Sequence, residues 1–321
     1  MGINCCHPNG AFNPVSRKLL QIKHTKNNQK NENNEDKAIC DIGMLVLDVE
    51  EEKIYTTKVS LRIKESIKGM SQLNVNNNLF LCGSENESTE GAFLFRIDNT
   101  KSLNSIVSIL INAQHNHVYP SMINLPDNTI IVVGGKKQIQ CELFDINNSK
   151  WKYLPELPEE RYHCSLLLDH NNKYVYLFGG FCSEKGTNCT DILRMNTESL
   201  MIWDKLLIVE GKELLAKTMC GMIRKENEDK EGKVVYILGG KNNKGEECDS
   251  IIEFDMTKRR AKKLKSELKW KAKFINQGGV NVNKDTYVLF DKKGNIHRVH
   301  LKDFNVYTNI DEDEEDEIQS I

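Results

Sequence analysis

No apolar run in this 321-residue chain approaches the ~18 residues that a bilayer-spanning helix needs. Its first residues, "MGINCCHPNG", lack the ~7–15-residue apolar core of a secretory signal. Together these absences lead to the expectation of a cytoplasmic protein. Neither sign of charge dominates: 44 Lys and Arg against 46 Asp and Glu leave a formal net charge of −2. There is therefore no global basic field to attract nucleic acid. The ten cysteines form no CxxC pair, so neither a disulfide framework nor a zinc knuckle is expected, and the thiols read as reduced core or loop groups. Sequons at Asn86, Asn148 and Asn188 carry no weight outside the secretory pathway. What is present, 39% hydrophobic and 28% charged residues, is globular composition able to bury a core.

That core is written in a recurring phrase. "NKYVYLFGG" ends at Gly180 with a continuous apolar run, too short for a helix and too rich in aromatic and β-branched residues, so it reads as a strand covered on both faces. "DNTIIVVGG" ends likewise at Gly135 and "GKVVYILGG" at Gly240. A degenerate copy, "NNLFLCG", ends at Gly83, and "DTYVLFD" ends at Asp291 without glycine. The intervals are 52 (83 to 135), 45 (135 to 180), 60 (180 to 240) and 51 (240 to 291) residues. A second apolar segment follows each: "AFLFRID", "CELFDIN", "DILRMN", "IIEFDM" and "NIHRVHL". Trp151 and Trp203 come next at similar offsets, and "RYHCSLLLD" and "KTMCGMIRK" open with a basic residue before two of the runs.

The glycine doublet, the second segment and the spaced tryptophan together resemble the kelch family, best between Tyr119 and Met256. The resemblance implies an all-β fold, a kelch-type β-propeller whose blades are four antiparallel strands. Five blades fit between Lys68 and Ile310, and strands within 40–62 supply an incomplete sixth that closes the ring beside the last blade. Six is the count, with five and seven as the alternatives. Glycines 134, 135, 179, 180, 239 and 240 (Gly134, Gly135, Gly179, Gly180, Gly239, Gly240) are structural in this reading, turning the chain beside a neighbouring blade where a Cβ would collide. Trp151 and Trp203 are structural as well, covering the gap that widens away from the axis. "KRRAKKLKSELKW" lacks that tryptophan and reads as a distorted strand or a helix.

The propeller is expected over 38–310, after a polar, Asn- and Lys-rich tether over 1–37 and before an acidic tail over 311–321. Gly2 is a candidate myristoylation site and Cys5 and Cys6 candidate palmitoylation sites, although Cys6 stands where the motif has Ser or Thr. Two acyl groups would hold the protein peripherally on the cytoplasmic face of a membrane.

No catalytic or metal constellation emerges. His115 and His117 lack a Cys or carboxylate at ligand spacing, His297 and His300 fall on opposite strand faces, and "CCHP" has no further ligands. His163 and Cys164 are sequence neighbours rather than a nucleophile and base from separate segments. No enzyme, cofactor or metal is expected. The resemblance instead implies a non-enzymatic scaffold that grips a partner protein with loops on one face. Those loops would present Lys136, Phe181 and Lys241, and the openings of the innermost strands would add His117, Arg161, Lys217 and Lys273. Arg161, Lys217 and Lys273 would ring one mouth of the channel and grip an acidic peptide. The alternative is a substrate-recognition subunit of a ubiquitin ligase whose ligase-binding domain comes from a partner, with a propeller enzyme as a remoter third reading.

Overall fold

The computed structural model describes residues 18–23, 39–48, 53–62, 69–76, 78–85, 87, 91–98, 106–169, 171–225, 234–268, 271–274, 280–283, 286–291, 296–301 and 305–308. Gly2, Cys5, Cys6 and the acidic tail lie outside them. Among the described residues the fold is all-β, and the one helical turn is a 3-10 segment at Lys212–Leu215. None of their helices is long and apolar enough to cross a membrane.

Five four-stranded antiparallel sheets follow one another along the chain. The first holds β4 (Met70–Val75), β5 (Asn78–Gly83), β6 (Phe93–Asp98) and β7 (Ile106–Ile109). The second holds β8 (Ser121–Asn124), β9 (Thr129–Gly135), β10 (Gln138–Asp145) and β11 (Lys150–Leu154). The third consists of β12 (Ser165–Leu168), β13 (Tyr174–Phe178), β16 (Ile192–Asn196) and β17 (Asp204–Leu206). Between its middle strands a ribbon of β14 (Phe181–Cys182) and β15 (Thr187–Asn188) projects. The fourth has β18 (Gly221–Arg224), β19 (Val234–Leu238), β20 (Ser250–Asp255) and β21 (Arg260–Glu267). The fifth has β22 (Val280–Asn283), β23 (Thr286–Phe290), β24 (Ile296–His300) and β25 (Asn305–Thr308).

Why the runs are continuously apolar is answered by where alternate residues go. Side chains of a strand point in turn to opposite faces. Ile130 and Val132 of β9 pack with the first sheet, while Ile131 and Val133 pack with the third. Val175 and Leu177 of β13 face the second sheet, and Tyr176 and Phe178 face the fourth. Val235 and Ile237 face back, and Tyr236 and Leu238 face the fifth. The second, third and fourth sheets are thus each covered on both faces by their chain neighbours. Trp151 lies in the core between the first two sheets, with its indole N–H donating to the Ile111 carbonyl at 2.8 Å. Trp203 does the same one sheet on, donating to Pro155 at 3.2 Å.

Backbone bonds repeat across the same boundaries. Tyr119 donates its amide to the Gly69 carbonyl (2.7 Å), His163 to Tyr119 (3.4 Å), Met219 to His163 (3.0 Å) and Phe274 to Met219 (2.8 Å). These residues stand just ahead of the first strand of each sheet, so one relay of amides links all five sheets. Beside it, Ser121 Oγ donates to the Cys164 carbonyl (2.9 Å) and Ser165 Oγ to that of Cys220 (3.0 Å), again one sheet to the next.

Two expectations change and one alternative is selected. Residues 18–23, placed in the tether, form β1 (Lys18–Lys23). It pairs with β2 (Ile39–Asp48), which pairs with β3 (Lys53–Arg62), as a separate three-stranded sheet with β1 against β4 and β5. Strands within 40–62 therefore pair with the preceding segment, and among the described residues no pairing joins them to the fifth sheet. Of the two readings of the Lys-rich segment the distorted strand holds: it is β21, whose register with β20 shifts between Ser250 and Ile252. As the edge strand of its sheet it buries Ala261 and leaves most of its charges in water.

Candidate functional site

The residues that lead into each sheet set the local geometry. The Gly135 amide donates to the Arg161 carbonyl (3.1 Å), Gly180 to Lys217 (3.0 Å) and Gly240 to Ala272 (2.8 Å), and Ser84 donates to His117 (2.9 Å) in the first sheet, whose doublet is Gly-Ser. His117, Arg161, Lys217 and Ala272 are therefore equivalent. Lys273, expected at that position, is displaced by one residue and corresponds to Tyr162 and Thr218. The error arises because lysines flank Ala272 on both sides, so charge alone does not locate the register.

The side chains at these positions turn inward. His117 is fully buried, with Nδ1 2.6 Å from the Gly134 carbonyl and Nε2 2.9 Å from Glu142 Oε2. Both ring nitrogens face acceptors, so both bonds form when each carries a proton. Glu142 also accepts the amides of Gln114 and His115, each at 3.0 Å. Arg161 is fully buried as well, and its guanidinium meets Glu159 (3.0 Å), Asp191 (3.2 Å) and the Gly179 carbonyl (3.4 Å). Burial would raise the Asp191 carboxyl, but Arg161 and Lys205 outweigh it and hold it below its ordinary range. Lys217 donates to Ser250 Oγ at 2.9 Å and is itself buried. The His117 ring, the Arg161 guanidinium and the Lys217 ammonium are internal pins, held by buried partners rather than turned to solvent.

Glu159, Cys189 and Asp191 bring three donor atoms within 4.8 Å of one another, the spacing of a cation site. Arg161 already lies on both carboxylates, and Lys185 and Lys205 pair with their other oxygens, so counter-charge is supplied by the protein. The buried thiols are unsuited to nucleophilic work: burial pushes Cys141, Cys164 and Cys220 up to about 12.

The loops joining second and third strands do come together. Lys136 and Lys137 share the Glu87 carboxylate of the first sheet at 3.0 and 2.8 Å. The Lys136 amide donates to the carbonyl of Val118, the residue before Tyr119, at 2.8 Å. Tyr162 pairs through its backbone with Phe181 (3.1 and 2.9 Å), and their rings meet edge-on at 5.7 Å. Asn188, opposite Phe181 in the ribbon, donates its backbone amide to Asn243 Oδ1 (2.9 Å) and its side-chain amide to the Lys241 carbonyl (3.2 Å). Lys273 closes the strip through Glu247 at 2.5 Å. Lys136, Phe181, Lys241 and Lys273 are half-buried members of one strip running across the sheets.

Sequence reasoning missed the rings at its centre. Tyr119 lies 4.6 Å from His163 and 6.3 Å from Tyr162, and His163 lies 5.0 Å from Tyr162. All three are half-buried. "VYP" and "RYHC" carried the signal, aromatic residues at strand openings where packing does not ask for them. The chain matches no protein-family model and no curated protein.

Proposed function

We propose that the chain is a kelch-type β-propeller of six blades, five of them four-stranded, acting as a non-enzymatic scaffold that binds a partner protein on one face. The amide relay and the face-to-face stacking support the ring, since both repeat at equivalent places from sheet to sheet. The observation that carries the functional reading is the strip itself. Loops from one end of successive sheets meet in a continuous, half-exposed surface of aromatic and cationic side chains, on a scaffold rigid enough to present it. The buried Arg161 and Lys217 play no part in contact, and binding falls to Lys136, Phe181, Lys241 and their neighbours.

Affinity purification with the full chain tests this. A partner that is retained by wild type, lost by Lys136→Glu with Lys241→Glu, and kept by Lys152→Glu with Lys258→Glu at the opposite end of the sheets is the expected result. Loss in both pairs, or in neither, would overturn the assignment of the face.

A further inference from the structure

Repetition separates what the fold requires from what it does not. The relay positions held by Tyr119 and His163 are held elsewhere by Gly69, Met219 and the buried Phe274. Tyr162 corresponds to Val118, Thr218 and Lys273, and Phe181 to Lys136 and Lys241. Glycine, threonine and lysine serve equally well at these places, so packing does not call for four rings in one sector. Gly69, Tyr119, His163 and Met219 all take positive φ (89°, 57°, 56° and 55°), so the relay position itself demands that conformation, and a ring there is strained where glycine would not be. Rings that the fold neither needs nor favours, gathered together and left half-exposed, point to a ligand.

The flanks define its chemistry. On one side Lys136 and Lys137 put two ammonium groups on the single Glu87 carboxylate. On the other, the Lys241 ammonium has no ion pair or hydrogen bond among the described residues, although its backbone is fixed against Thr218. The strip is an aromatic platform between two cations. Aromatic platforms take the flat ring of proline in an extended chain at little entropic cost, and ammonium groups to either side take carboxylates. A nucleic-acid strand would need a longer basic track to follow its phosphates, and Glu87 interrupts one here.

We propose that Tyr119, Tyr162, His163 and Phe181, with Lys136 and Lys241, form the docking site for an extended segment of a partner protein in which acidic residues flank a proline. This rests on the reading of the chain as a protein-interaction scaffold. The test is selection of a random dodecapeptide display library on the full chain, followed by binding titrations of the synthesised consensus. Acidic–proline–acidic peptides should be enriched, and Tyr162→Ala, Phe181→Ala and Lys241→Glu should each weaken the consensus peptide at least ~10-fold with unchanged melting midpoints. Should Tyr162→Ala fail to fold, Lys241→Glu makes the same measurement, and a peptide with lysines replacing its acidic residues should not bind. Enriched peptides without this pattern, or binding indifferent to the three variants, overturn the site and leave the scaffold reading standing. No enrichment of any peptide sinks both, and displacement of the consensus peptide by oligouridine at lower concentration would replace the peptide with single-stranded nucleic acid.

Discussion

Glu142 and His117 meet at 2.9 Å with neither side chain exposed to solvent. Burial alone would raise the Glu142 carboxyl, but the His117 contact and the amides of His115 and Gln114 outweigh it and keep it below the ordinary 4.5. A carboxyl depressed in the folded state stabilises the fold above its unfolded pKa, and that stabilisation is lost as pH falls through the folded value. Urea denaturation from about pH 7 down to about pH 3 should therefore show an acid decline that Glu142→Gln makes shallower. A decline of unchanged steepness in the variant would assign it to other carboxylates.

The glycine doublet separates two costs. A β-carbon on Gly179 (φ 58°) would overlap the Lys217 carbonyl oxygen, whereas one on Gly186 (φ 64°) meets nothing within 4 Å. Gly186→Ala should cost only the backbone strain, about 1 kcal/mol. Gly179→Ala adds the collision and should exceed about 2 kcal/mol. Equal shifts in the two melting midpoints would mean that the sheets part easily at this boundary.

Arg161 is a folding residue. Arg161→Met leaves the Glu159 and Asp191 carboxylates with only the exposed Lys185 and Lys205 and should destabilise by roughly 3 kcal/mol, with Arg161→Glu worse. Adding Asp191→Leu to Arg161→Met should recover much of the loss, because the apolar pair leaves fewer charges behind. Chemical denaturation of the four-membered cycle gives the coupling, and additive losses would show that the guanidinium is not held by Asp191.

Hydroxyl bonds between sheets act at separate boundaries. Ser121→Ala and Ser165→Ala should each cost about 1 kcal/mol. The double variant should lose the sum of the two, since they share no partner. A much larger combined loss would reveal that the boundaries open together.

The strands were the legible part. β9, β13 and β19 are continuous apolar runs because each faces two neighbours, and that requirement is local enough to be read residue by residue. The partners of the buried polar side chains were not. Glu142 lies on β10 and Asp191 just ahead of β16, and only their presence in otherwise apolar segments hinted at buried polar partners. Arg161 and Lys217 look like surface charges until the fold supplies what covers them. The one-residue slip at Lys273 has the same origin, since which of several adjacent side chains faces inward depends on a bond to Gly240 from the preceding strand pair. β1 was hidden for a different reason: "KLLQIK" is short and lies in polar sequence, and its pairing with β2 makes it a strand.

Every donor in the amide relay lies later in the chain than its acceptor. Each sheet therefore offers an oxygen that only the next one can satisfy. A ribosome delivering about 5–20 residues per second brings out one such sheet every few seconds, and each arrives at a receptor already waiting. The relay thus has a direction in time: growth from the N-terminal side leaves an acceptor at the front, so the advancing end is receptive to its successor throughout synthesis.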